Sequence, residues 1–184
     1  MRITGLPAPL DLTGDVERLV ADRSPGWPCR RCLHDADVGE TLLLVSYDPW
    51  TVSSPYRQTG PVFVHERTCP PWSGDGLPEQ QTSRLLSVRV MDEYGRQTSG
   101  DVVAGQRLLP VLQEIFACEE NAFVHLHNAG PGCFAARVDR DGVGSQRACQ
   151  EPSRRPDHGI AVAHGAMDIP YRRGRRPSAA PALT

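Results

Sequence analysis

Residues 122–140 read AFVHLHNAGPGCFAARVDR. Two runs of strand formers, 122–127 and 133–139, flank Asn128-Ala129-Gly130-Pro131-Gly132, whose Gly and Pro supply the backbone angles of a tight reversal. The stretch therefore reads as a β-hairpin. It also holds the densest set of chemically capable side chains, His125, His127, Cys133 and Arg137. Alternate strand residues share a face, so Phe123, His125 and His127 lie together. A register with His127 opposite Cys133 sets Ala135 opposite His125 and Arg137 opposite Phe123. Two imidazoles, a thiol and a guanidinium then converge, a set that suits zinc or iron with an open position, or a thiol working beside a base. A slip of one residue sends Cys133 to the other face. The competing readings are that the imidazoles serve carbonyls and the thiol packs as a small apolar group, or that the face binds a ligand without chemistry.

The periodicity on the N-terminal side of the hairpin extends the fold. Residues 102–117 place Val102, Gly105, Leu108, Leu109, Leu112, Ile115 and Phe116 on one helical face, with Asp101 as N-cap. Pro110 inside that pattern predicts a kink or a split. Residues 92–100 read as a turn region and 69–83 as a loop. Residues 84–91 (RLLSVRVM) alternate as a strand with Leu86, Val88 and Val90 inward. Residues 61–66 (PVFVHE) and 41–47 (TLLLVSY) are two further strands. Residues 11–23 predict a short helix, capped by Thr13 or Asp15, with Val16, Leu19 and Val20 as its stripe. Past Arg140 the periodicity stops, and residues 144–184 are rich in Arg, Pro, Gly, Ser and Ala. The expected architecture is an α+β domain over residues 1–140, a small antiparallel or mixed sheet of about five strands with one main packing helix. A disordered Arg/Pro-rich tail over residues 141–184 follows it.

Composition narrows the function. The chain has 184 residues, 39% of them hydrophobic, a length for one domain with an extension. Residues 1–139 carry 12 Arg and 18 acids, a net of −6, and residues 140–184 carry 8 Arg and 4 acids, a net of +4. An acidic domain argues against nucleic acid as a partner, and the basic run YRRGRR at 171–176 reads as a solvated end. All 20 residues counted as Lys plus Arg are Arg, which excludes Schiff-base and P-loop lysine chemistry. A basic start followed by an apolar core is missing, and so is any run of about 20 apolar residues, so the expectation is a soluble cytoplasmic protein with no membrane partner. Six cysteines are too few for a disulfide scaffold.

A second constellation joins Cys29-x-x-Cys32 to His65-x-x-x-Cys69. Cysteines three positions apart can hold one tetrahedral ion, and His-x-x-x-Cys at a strand end can supply the remaining two ligands. Zinc is the cofactor such a set points to, with His34 as an alternative ligand. A redox dithiol and simple packing of the thiols are the competing readings; no βαβ unit surrounds the Cys-x-x-Cys to support the redox one. Arginines form a third group. Arg57 beside Tyr56, Arg89 on the polar side of its strand, and Arg137 could line one pocket for a carboxylate or phosphate, or be solvated and paired with surface acids.

Four segments, PCRRCLHDADVGETLLLVSYD, SPYRQTGPVFVHE, LLSVRVMD and HLHNAGPGCFAARVDR, together resemble the bacterial family called domain of unknown function 1203. The resemblance spans residues 27–140, and its most specific piece is HNAGPGCFAARVDR. It implies a small soluble bacterial protein with one domain and transfers no activity and no catalytic residue. Residues past Arg140 fall outside it, which leaves Cys149, His158 and His164 without a role.

Three functional expectations follow. The first is an accessory or ligand-binding domain with no assignable activity. The second is a metal-dependent enzyme using His125, His127 and Cys133. The third is a structural zinc module held by Cys29, Cys32, His65 and Cys69.

Overall fold

The computed structural model describes residues 1–7 and 14–140. Eight strands lie among them: β1 (Arg2–Thr4), β2 (Val16–Val20), β3 (Thr41–Tyr47), β4 (Gly60–His65), β5 (Leu85–Met91), β6 (Gln97–Ala104), β7 (Phe123–Asn128) and β8 (Phe134–Asp139). The helices are α1 (Glu79–Thr82) and α2 (Leu108–Phe116), with a 3-10 turn at Gly105–Arg107 leading into α2. One antiparallel sheet has the order β1-β8-β7-β5-β6, and a second has the order β2-β3-β4.

The larger sheet separates two environments. Leu86, Val88 and Val90 of β5, Val124 and Leu126 of β7, and Ala136 and Val138 of β8 pack with Leu108, Val111 and Leu112 of α2 into the main core. Their alternation is the period of a strand with one face buried against a helix. The opposite face carries Phe123, His125 and His127. Arg89 and Arg137 pair across from His125 on either side, so the three form one row over β5, β7 and β8. At the end of α2, Arg140 donates to the Phe116 and Asn121 carbonyls at 2.6 and 3.0 Å and also to that of Cys118, tying β8's end to the last helical carbonyl and the turn that follows it. Among the described residues, no helix is long and apolar enough to cross a membrane.

The fold is mostly β, which corrects the α+β expectation. Residues 16–20 form a strand instead of a helix. Their Val-Glu-Arg-Leu-Val run pairs with β3, and tertiary pairing overrides a short helical stripe that had only three apolar members. Residues 97–104 are also strand, so Asp101 and Val102 lie within β6 and the helix begins only at Leu108. Pro110 is the third residue of α2 and produces no break between two helices; the first turn of a helix tolerates proline, whose fixed φ suits it. The expected loop 69–83 contains α1. Strands 41–47 and 61–66 belong to the second sheet, with β2, and not to the sheet of the hairpin. The possible cap Thr13 and the expected tail 141–184, with Cys149, His158 and His164, lie outside the described residues.

The hairpin register also differs from the expected one. Arg137 pairs with His125, Ala136 with Leu126, and Phe134 with His127, with a bulge between Leu126 and His127. Ala135 is thus the extra residue. Phe134 takes the place expected for Cys133, with ring centroids 5.3 Å from His125 and 5.8 Å from His127.

Candidate functional site

The Cys-x-x-Cys loop is fastened to β4 through its backbone. Arg30 N–H donates to the Phe63 carbonyl at 2.8 Å, and Cys29 forms an isolated parallel bridge with Phe63. The loop closes on itself through Leu33 N–H to the Cys29 carbonyl at 3.1 Å and Cys29 N–H to the His34 carbonyl at 3.0 Å. Leu33 adopts a left-handed φ of 55°, unusual for a residue with a β-carbon, and its side chain is wholly buried in the main core. The conformation is maintained by that burial. From the other side, Leu6 N–H donates to the Arg30 carbonyl at 2.8 Å, and the backbone comes so close that a β-carbon on Gly5 would lie 1.9 Å from the Arg31 carbonyl oxygen.

This scaffold brings Cys29, Cys32, His65 and Cys69 together, with one ligand atom from each lying within 4.8 Å of all the others. Cys29, His65 and Cys69 are buried and Cys32 is half-buried. Cys29 Sγ is 3.8 Å from Cys69 Sγ, and Cys32 Sγ is 3.5 Å from His65 Nδ1. The His65 backbone N–H points at Cys29 Sγ at 3.4 Å. The other ring nitrogen of His65, Nε2, lies 3.3 Å from Glu40 Oε2. Glu40 is itself held by the Asp37 N–H at 2.9 Å and Arg67 Nε at 2.7 Å, which lower its pKa. Hydrogen bonds from Cys32 and His65 draw the Cys29 thiol well below its ordinary range. The shared contact pushes Cys32 up, and burial raises Cys69. His65 is raised by its contact with Cys29 and by Glu40. The group is arranged to accommodate negative sulfur beside a fixed imidazole, and a metal such as zinc could be held there. His34 is exposed and stacks against Trp72, with centroids 5.5 Å apart.

The hairpin residues divide between two surroundings. His125 is 1% exposed, and neither of its ring nitrogens makes a hydrogen bond. It is surrounded by Trp50, Phe123 and Phe134 at centroid distances of 4.9, 5.1 and 5.3 Å. Burial, reinforced by Arg137, His127 and Arg89, lowers its pKa to about 3. His127 is lowered to about 4, again chiefly by burial. Its Nδ1 lies 2.9 Å from the Gly132 carbonyl, which can only accept, so Nδ1 carries the proton and Nε2 is an acceptor. Cys133 Sγ instead receives Arg30 Nη2 and Asn128 Nδ2, each at 3.3 Å. His127, Cys133 and Phe134 line one side of a cleft of about 310 Å³; Tyr47, Gln58 and Pro61 are among the residues across it.

The arginines expected to share a pocket each have a partner of their own. Arg57 is paired with Asp48, and Arg89 donates to Gln58 at 3.0 Å. Arg137 bonds Asp139 at 2.8 Å and covers the Phe123 ring at 3.9 Å. Tyr56 is 41% exposed. Sequence reasoning passed over Arg30, Asn128 and Glu40. Arg30 and Glu40 carry no reading of their own in the sequence and Asn128 only that of a turn former; nothing in their spacing reveals which sulfur or imidazole they meet.

No curated protein and no solved structure matches the chain. Residues 26–140 match the family described as "Protein of unknown function (DUF1203)", and the chain, whose cysteine–histidine cluster and cleft both fall within that span, belongs to this family.

Proposed function

We propose that Cys29, Cys32, His65 and Cys69 bind one zinc ion and that the domain is a zinc-stabilised module. The observation that carries this reading is the spacing of the ligand atoms. A tetrahedron with Zn–S bonds of about 2.3 Å and a Zn–N bond of about 2.05 Å has S···S edges of about 3.8 Å and S···N edges of about 3.6 Å. Cys29 to Cys69 at 3.8 Å and Cys32 to His65 at 3.5 Å agree with those edges. Three sulfurs and an imidazole suit a borderline-soft ion. Glu40 behind His65 is the carboxylate partner that a zinc-bound histidine commonly has. Four protein ligands leave no open position, so the ion's role is structural: it ties the loop bearing Cys29 and Cys32 to the end of β4 and the segment bearing Cys69.

Elemental analysis of the protein purified without chelator tests the proposal. One zinc per chain is expected, and Cys69→Ser should lose it. Chelation should lower the thermal midpoint by about 10 °C or more, which for a chain of this size is ~3 kcal/mol or more. Metal-free protein whose midpoint is indifferent to added zinc would overturn the reading.

A further inference from the structure

Arg30 is 1% exposed, yet the groups it touches are an amide and a thiol: it donates to Gln80 Oε1 at 3.0 Å and to Cys133 Sγ at 3.3 Å, and its Nε makes no hydrogen bond. Asp35, the acid whose field reaches it, is engaged by Arg84 at 2.6 Å. A guanidinium cannot shed its proton at ordinary pH, and burying its charge without an anion is strongly unfavourable. Among the described residues, Cys133 is the one group in hydrogen-bond contact with Arg30 that can turn anionic. Its sulfur also receives Asn128 Nδ2 at 3.3 Å, and Cys133 is a half-buried residue lining the 310 Å³ cleft. Two N–H donors and a buried positive charge at the sulfur of a residue that lines a cleft are the surroundings of a reactive cysteine rather than of a packing one.

We propose that Cys133 is a nucleophilic thiolate site that exchanges with low-molecular-weight disulfides, with Arg30 and Asn128 holding the charged sulfur. The cleft has the volume for a small organic group, and Tyr47, Pro61 and Phe134 give it apolar walls beside Gln58 and His127. The step balances. The Cys133 thiolate attacks one sulfur of R–S–S–R, and a Cys133–S–S–R bond forms as the R–S bond to the second sulfur breaks. RS⁻ leaves with the electron pair and takes a proton from water. No metal enters, so the proposal stands apart from the zinc reading.

The full-length protein is treated with glutathione disulfide at neutral pH, and the mixed disulfide at Cys133 is followed by peptide mass spectrometry, read separately from Cys29, Cys32 and Cys69. The rate at Cys133 is expected to be at least tenfold that of the same cysteine in the urea-unfolded chain. Arg30→Met should reduce it about tenfold, and Arg30→Lys, which keeps the charge, should restore part of it. If Arg30→Met does not fold, Asn128→Ala serves in its place and should lower the rate severalfold. A Cys133 that reacts no faster than in the unfolded chain, or a folded Arg30 or Asn128 variant with an unchanged rate, overturns the proposal. Labelling at Cys29, Cys32 and Cys69 reports on metal occupancy and is scored separately from Cys133, as is labelling at Cys118 and Cys149.

Discussion

Glu40 is a single residue with a disproportionate expected effect. Its carboxylate stands 3.3 Å from His65 Nε2, the position from which a carboxylate orients a metal-bound imidazole and strengthens its other nitrogen as a donor. Glu40→Gln keeps the shape and removes the charge. On the zinc proposal, the variant should remain folded and bind zinc about 10-fold more weakly, as read by competition with a chromophoric chelator. An unchanged affinity would mean that Glu40 serves only Arg67 and the turn. Leu33 and Gly5 act on the same loop by different means. The first carries a left-handed backbone because its side chain belongs to the main core, and the second lacks a side chain because the Arg31 carbonyl occupies that space. Neither constraint could be read from local sequence, since each depends on a surface contributed by a distant part of the chain.

At the scale of the element, one extra residue rearranges the hairpin chemistry. Ala135 in the bulge turns Phe134 toward the histidines and leaves Cys133 to Arg30 and Asn128. The strands, the turn and the shared face of His125 and His127 were legible in the alternation of 122–140; the bulge was not, because a period of two says nothing about an inserted residue. The helix gives the opposite lesson. The apolar spacing that reaches back to Val102 is fortuitous: β6 pairs with β5 up to Ala104, and the helix starts only after the 3-10 turn. Pro110 therefore sits in the first turn of α2, where proline is tolerated, and Pro110→Ala should change unfolding free energy by less than about 1 kcal/mol. A loss of ~3 kcal/mol in a urea titration would place the proline in a strained, kinking role instead.

At the scale of the molecule, the buried histidines tie stability to pH. His125 and His127 titrate near 3 and 4 when folded, against an ordinary 6.5. Between pH 6.5 and those values, the unfolded chain takes up protons that the folded one refuses. The contribution of these two histidines is therefore full above about pH 6.5 and falls on acidification, by up to ~1.4 kcal/mol per pH unit for each. Urea midpoints at pH 7 and pH 5 measure the slope. His125→Phe, which suits the ring of Trp50, Phe123 and Phe134 and removes two nitrogens without hydrogen bonds, should flatten it by one histidine's share and leave stability at pH 7 no lower. A variant with the wild-type slope would show that His125 is not the group responsible.

The amino-acid sequence by itself determined the strands with clean alternation or continuous apolar runs, the hairpin and its turn, the family to which residues 26–140 belong, and the candidate ligands Cys29, Cys32, His65 and Cys69. Those features reside in spacing and composition, which need no knowledge of distant contacts. Tertiary structure alone decided that residues 16–20 extend a sheet and that the strands divide between two sheets. It also decided that Cys133 meets a buried arginine from the Cys-x-x-Cys loop instead of its neighbouring histidines. The physical reason is the same in each case: exposed or short segments have weak local preferences, and the partner that completes them comes from elsewhere in the chain, 103 residues away for Arg30 and Cys133.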